Sequence, residues 1–80
     1  MARDKLMQRL LRERFIFTLS TGETFDGLLI DADEKTVQIF DAYALIHKAN
    51  GNVDRLQVDS GEMFLPRDKV SYMQRPGAVE

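Results

Sequence analysis

The sequence predicts a mainly β protein in which a short N-terminal helix precedes a bent antiparallel sheet closed as a small barrel. Three observations carry this. Phe15, Phe17 and Leu19 alternate with Ile16, Thr18 and Ser20, the period of two of a strand with one buried face. Thr21-Gly22 then supplies a hairpin turn before the alternation resumes with Phe25, Gly27 and Leu29. Gly27 lies in the middle of that second strand, where a residue without a side chain calls for a sharp bend or a close backbone approach.

The remaining elements follow in chain order. Residues 4–12 read as a helix, with Leu6, Met7, Leu10 and Leu11 forming one apolar stripe and Arg3, Lys5, Arg9 and Arg12 mostly elsewhere. So short a helix is marginal alone, which requires its stripe to dock. Asp33, Glu34 and Lys35 make a charged turn, and Val37, Ile39, Asp41, Tyr43 and Leu45 start a third alternating strand running to about Ile46. That alternation puts Phe40 and Tyr43 on opposite faces, so at most one of them is core. Asn50-Gly51 is a strong hairpin signal. Val53, Leu56 and Val58 form a fourth, polar-interrupted strand, broken at Asp59-Ser60-Gly61 by a bulge or a turn and resumed by Met63, Phe64 and Leu65 until Pro66. A last strand covers 70–73, leaving a flexible tail at 74–80. The expected organisation is one domain over residues 1–80, with the barrel at 15–73.

Eighty residues bury a modest core, and the absence of cysteine excludes disulfide staples. With His47 as the sole histidine, a structural zinc site is not expected, and no cofactor is indicated. Asp31, Asp33 and Glu34 lack the spaced oxygens and glycine of a calcium loop, so no metal is expected there. Association with further copies is the remaining means of burying surface. No apolar run reaches the length of a membrane span, and the basic first residues lack a signal-peptide apolar core, so the expectation is a cytoplasmic protein without membrane contact.

The net charge of −2 conceals an asymmetry. Residues 1–14 hold five basic and two acidic side chains, a net of +3, whereas the rest holds six basic and eleven acidic, a net of −5. A nucleic-acid partner would therefore meet local basic patches on a barrel that repels phosphate as a whole. The chain has no cysteine nucleophile, no elbow presenting a serine, no phosphate-cradling glycine loop and a single histidine, a set that does not predict an enzyme.

Taken together, the residues resemble the Sm and Sm-like family. Phe17, Leu19, Gly22, Phe25, Gly27, Leu29 and Asp33 stand at the spacing of its first motif. Val37, Ile39, Asp41 and Ala42 match the end of that motif with a turn one residue shorter than usual, and Gly61, Met63, Phe64, Leu65, Val70 and Tyr72 match the second. The resemblance implies five bent antiparallel strands in an SH3-type small barrel. It also implies a homo-oligomeric ring of six or seven copies, the fourth strand of one beside the fifth of the next. On that basis Val58, Met63, Phe64, Val70 and Tyr72 are candidate interface residues.

The resemblance further implies binding of single-stranded RNA, as a chaperone or sequestering factor. Here the sequence departs from the pattern. Thr36 stands where the family has its RNA-contacting Asn, or Val37 does if no residue is deleted, and Pro66-Arg67 replaces an Arg-Gly pair. The candidate RNA contacts are Thr36, Arg67 and Lys69 near the ring pore, His47 and Lys48 beside the Asn-Gly turn, and Arg9 and Arg12 on the helix. The alternative is an oligomeric scaffold that binds proteins and leaves nucleic acid alone.

Overall fold

A computed structural model describes residues 2–58 and 61–76. The element order is α1 (Ala2–Arg9), β1 (Arg14–Leu19), β2 (Thr24–Ala32), β3 (Thr36–His47), β4 (Val53–Gln57), β5 (Glu62–Pro66) and β6 (Val70–Gln74), with one 3-10 turn at Arg67–Lys69 between β5 and β6. All strand pairings are antiparallel, in the order β4-β3-β2-β1-β6, and β5 also pairs with β3. The expected fourth strand is therefore present as two segments. Two of the three residues at the expected break, Asp59 and Ser60, lie outside the described residues, as do residues 77–80 of the expected tail.

The twelve-residue β3 explains the division. Its first half pairs with β5, Val37 opposite Leu65, and its second half with β4, Ala44 opposite Leu56. Between the halves Asp41 adopts φ 52°, a left-handed backbone that inserts an extra residue against β2 and bends the strand. This corrects the simple alternation. Leu28 faces Phe40 and Asp26 faces Tyr43, so the bulge shifts the phase by one and both aromatics project from the outer surface. Ala42 takes the core position instead, fully buried.

The core consists of Phe15, Phe17, Leu29, Val37, Ile39, Ala42 and Leu65, lined up by the pairings Phe15 with Gly27, Phe17 with Phe25 and Leu29 with Ile39. Gly27 is required by close approach: a Cβ there would stand 3.0 Å from Cδ1 and 3.1 Å from Cβ of Ile39.

The helix is shorter than its apolar pattern. It ends at Arg9, and Arg12, at φ 69°, donates its backbone N–H to the Leu29 carbonyl at 2.6 Å, which turns the chain into β1. Met7, Leu10 and Leu11 pack on the core, whereas Leu6, expected in the docked stripe, is 62% exposed. No helix among the described residues is long and apolar enough to cross a membrane.

Candidate nucleic-acid interface

The predicted contact residues fall in three places. The first is the junction of the β2–β3 turn and the 3-10 turn. The Asp33 carboxylate accepts the backbone N–H groups of Lys35 and Thr36, each at 2.8 Å, and so folds the turn around its own side chain. These bonds, with the Arg67 charge adding to them, hold the Asp33 carboxyl below the usual carboxylate range. Arg67 binds across, its backbone N–H donating to the Lys35 carbonyl at 2.8 Å and its guanidinium to the Asp33 carbonyl. The Lys69 carbonyl in turn accepts the Ser20 N–H at 2.7 Å. Arg67 is thereby brought to the β2–β3 turn beside Thr36, where a shallow pocket is lined by Asp31, Asp33, Thr36, Gln38 and Phe64, while Lys69, two residues on, stands against the β1–β2 hairpin. The sequence did not reveal that Arg67 is engaged with the neighbouring turn.

A depressed carboxyl pKa gives this turn a definite pH response. The contribution of Asp33 is complete above the ordinary carboxylate pKa and is lost as the pH falls below it, through the lowered folded value. The amide resonances of Lys35 and Thr36, followed by NMR, are expected to titrate only below the ordinary aspartate range. Titration at or above that range would show that the carboxylate does not hold the turn.

His47 and Lys48 form the second place, at the other end of β3. His47 Nε2 lies 2.9 Å from Thr24 Oγ1, and Lys48 pairs with Asp54 at 3.0 Å. They are not assembled with the turn residues. Arg9 and Arg12 are the third place, both exposed, Arg9 in the last turn of α1 and Arg12 just beyond it.

The structure also reveals a charged network that the sequence did not single out. Asp26, only 8% exposed, accepts from Arg14 at 2.7 Å on one oxygen and from Arg55 at 2.8 Å on the other. The other arm of Arg14 reaches the Asp41 carboxylate at 2.5 Å, at the bend of β3. Burial tends to lower the Arg14 pKa, but its bonds and charges with Asp26 and Asp41 more than offset this and hold it above the ordinary arginine value. Arg55 also stacks over Tyr43, 4.2 Å from the ring centroid. One carboxylate thus joins β1, β2 and β4, and Arg14 extends the network to β3. The available signal was the hairpin register: with Ile16 opposite Asp26, Arg14 becomes a diagonal neighbour of that acid.

Of the candidate interface residues, Val58, Met63 and Val70 pack partly against the core, whereas Phe64 and Tyr72 stand 61% and 55% exposed on strands β5 and β6. Leu56 on β4, which was not among the candidate interface residues, is 63% exposed. Each of β4, β5 and β6 is paired along one side only among the described residues.

A short helix leading into a strongly bent antiparallel sheet, with β3 shared by two outer segments and the last strand returning to β1, defines a small barrel of the Sm type. The chain has the Sm fold. Among solved structures, it is similar over 98% of its length to 97% of the P. aerophilum SmAP1 heptamer chain, with a TM-score of 0.73 and 18% identity. It is also similar over 91% of its length to 98% of the chain of a heptameric archaeal Sm protein, with a TM-score of 0.70 and 19% identity. No protein-family model matches the sequence, and no curated protein does so either.

Proposed function

We propose that this chain assembles edge to edge into an Sm-type ring of six or seven copies that binds single-stranded RNA without catalysing a reaction. The observation that carries the proposal is the pair of open sheet edges. Strands β4 and β5 at one side and β6 at the other lack a second neighbour among the described residues, and they present Leu56, Phe64 and Tyr72 to solvent. A head-to-tail contact satisfies both edges at once and closes when the rotation per copy fits a ring. The heptameric state of the two similar Sm proteins agrees with this.

RNA would meet Thr36 and Lys69 at the joined turns and Arg12 beside the helix, with Arg67 acting mainly to hold those turns. A second reading, a ring that serves as a protein scaffold, is favoured by the same engagement of Arg67 and by the acidic residues beside it, Asp31, Asp33 and Glu34.

Because Leu56 and Phe64 are exposed in the single copy, Leu56→Lys combined with Phe64→Lys is expected to leave the barrel folded while reducing the particle from a six- or seven-copy mass to one copy. Light scattering and far-ultraviolet circular dichroism measure the two effects. Retention of the full mass would move the interface elsewhere. The intact ring is then titrated with a labelled single-stranded RNA at several salt concentrations. Binding whose salt slope falls by roughly 0.7 for each phosphate no longer neutralised, as in Lys69→Ala, supports the RNA reading. No binding by an intact ring selects the scaffold.

A further inference from the structure

Helix α1 carries two different surfaces on opposite sides. One side faces an open cleft of about 450 Å³ between the helix and the β2–β3 turn, where Met7, Leu11 and Ala32 supply apolar walls and Asp31, Asp33 and Glu34 stand against the single Lys35. Asp33 is committed to its turn, but Glu34 has no side-chain partner among the described residues and Asp31 bonds only the adjacent Ala32 N–H. Both remain available to a cation.

The other side of the helix is basic. At roughly 100° per residue, Lys5 and Arg9 lie about 160–200° around the axis from Met7. They are exposed, and Leu6 beside them is exposed as well. One molecule thus displays a basic surface with a protruding leucine and, across the same helix, an acidic-rimmed cleft with apolar walls.

We infer that the cleft receives the Lys5, Leu6 and Arg9 surface of α1 from an adjacent copy. The charges are complementary, and so are the apolar parts, Leu6 against Met7, Leu11 and Ala32. Two complementary patches on opposite sides of one element repeat head to tail, the same type of contact that the two sheet edges would make. The inference rests on the ring reading and adds a second, electrostatic contact to it. It also assigns Arg9 to a protein neighbour, leaving Arg12 as the helix-side cation for RNA.

Charge reversal tests it. Arg9→Glu alone and Glu34→Arg alone are each expected to raise the concentration at which the assembly dissociates by roughly tenfold at low salt, with the effect fading at high salt. The combined variant is expected to recover wild-type assembly. Arg9→Glu also removes a favourable charge from the end of the helix, so circular dichroism accompanies the sedimentation measurements. Rescue by the second substitution cannot arise from helix content alone. Rings that ignore both single changes, or a combined variant no better than the singles, would overturn this contact and leave the ring intact. A wild-type chain that stays a single copy would overturn the ring reading and the contact together. Loss of RNA affinity in Arg9→Glu with unchanged assembly would return Arg9 to the nucleic-acid surface.

Discussion

Phe17→Ala is expected to lower the stability of the fold by about 3–5 kcal/mol, the usual consequence of emptying a fully buried aromatic site. Phe17 is completely buried, lies edge-on to Phe15 with ring centroids 6.2 Å apart, and sits on β1, the strand that both β2 and β6 must pair with. Among the described residues the core contains seven buried apolar side chains, two of them phenylalanines, so neighbouring groups have little freedom to collapse into the space. For a chain of eighty residues this loss is comparable to the lower end of typical total stability. Urea denaturation at one fixed low protein concentration measures it, since assembly raises apparent stability with concentration. A change below about 1 kcal/mol would show that the site collapses without penalty and that the core is not organised around this ring.

The second large effect is expected at Asp26. Its carboxylate carries the bonds to both Arg14 and Arg55, so Asp26→Ala leaves two guanidinium groups facing each other without their shared anion. Removing one partner of a buried ion pair costs about 3–5 kcal/mol. Here Arg55 has a half-exposed side chain and Arg14 retains Asp41, so roughly 2 kcal/mol is expected. Asp26→Asn, which keeps the shape and one acceptor oxygen, should lose less. The loss is expected to be concentrated in β4, because Arg55 ties this otherwise exposed strand to the buried Asp26 of β2. Hydrogen exchange would show it as faster exchange of the Val53–Gln57 amides than of those in β1. Equal stability of Asp26→Ala and the wild type would mean that solvent screens the network completely.

The hairpin and the first half of β3 were legible because their core faces follow the pleat, even beside the register shift between Leu29 and Asp31. Phe15, Phe17, Leu29, Val37 and Ile39 all occupy the face that alternation assigned to them. The alternation failed at Asp41, where a single residue with positive φ shifts the phase of everything after it. Nothing in the local residue types distinguishes an aspartate in a bulge from one in a regular strand. The helix end was misplaced for a similar reason. Leu10 and Leu11 keep a helical spacing, but the Arg12 N–H is claimed by Leu29, a partner seventeen residues away.

The candidate RNA contacts could be picked out by residue type, but their arrangement in space could not be read from the sequence. Arg67 meets the β2–β3 turn beside Thr36 and Lys69 stands against the β1–β2 hairpin, while His47 and Lys48 lie at the far end of the long β3. That Arg67 would spend its donors on the Asp33 turn depended on the 3-10 turn after Pro66, which the sequence showed only as a loop. Nothing in the residue types marks Asp26 in the sequence; only the register supplies Arg14 and Arg55 on either side of it.

The pairing of β6 with β1 bears on how this protein comes to be folded in the first place. Strand β1 begins at Arg14 and its second neighbour begins only at Val70, so the ladder that closes the sheet joins segments from opposite ends of the chain. During synthesis from the N-terminus, β1 to β5 are available while one edge of β1 still has no mate. That edge is of the same kind as the ones through which copies are proposed to associate, so a growing chain is open to pairing with another molecule's strand until its own five-residue β6 arrives. The final strand thus ends a period of promiscuity as well as completing the fold, and C-terminal truncation before Val70 would make that period permanent.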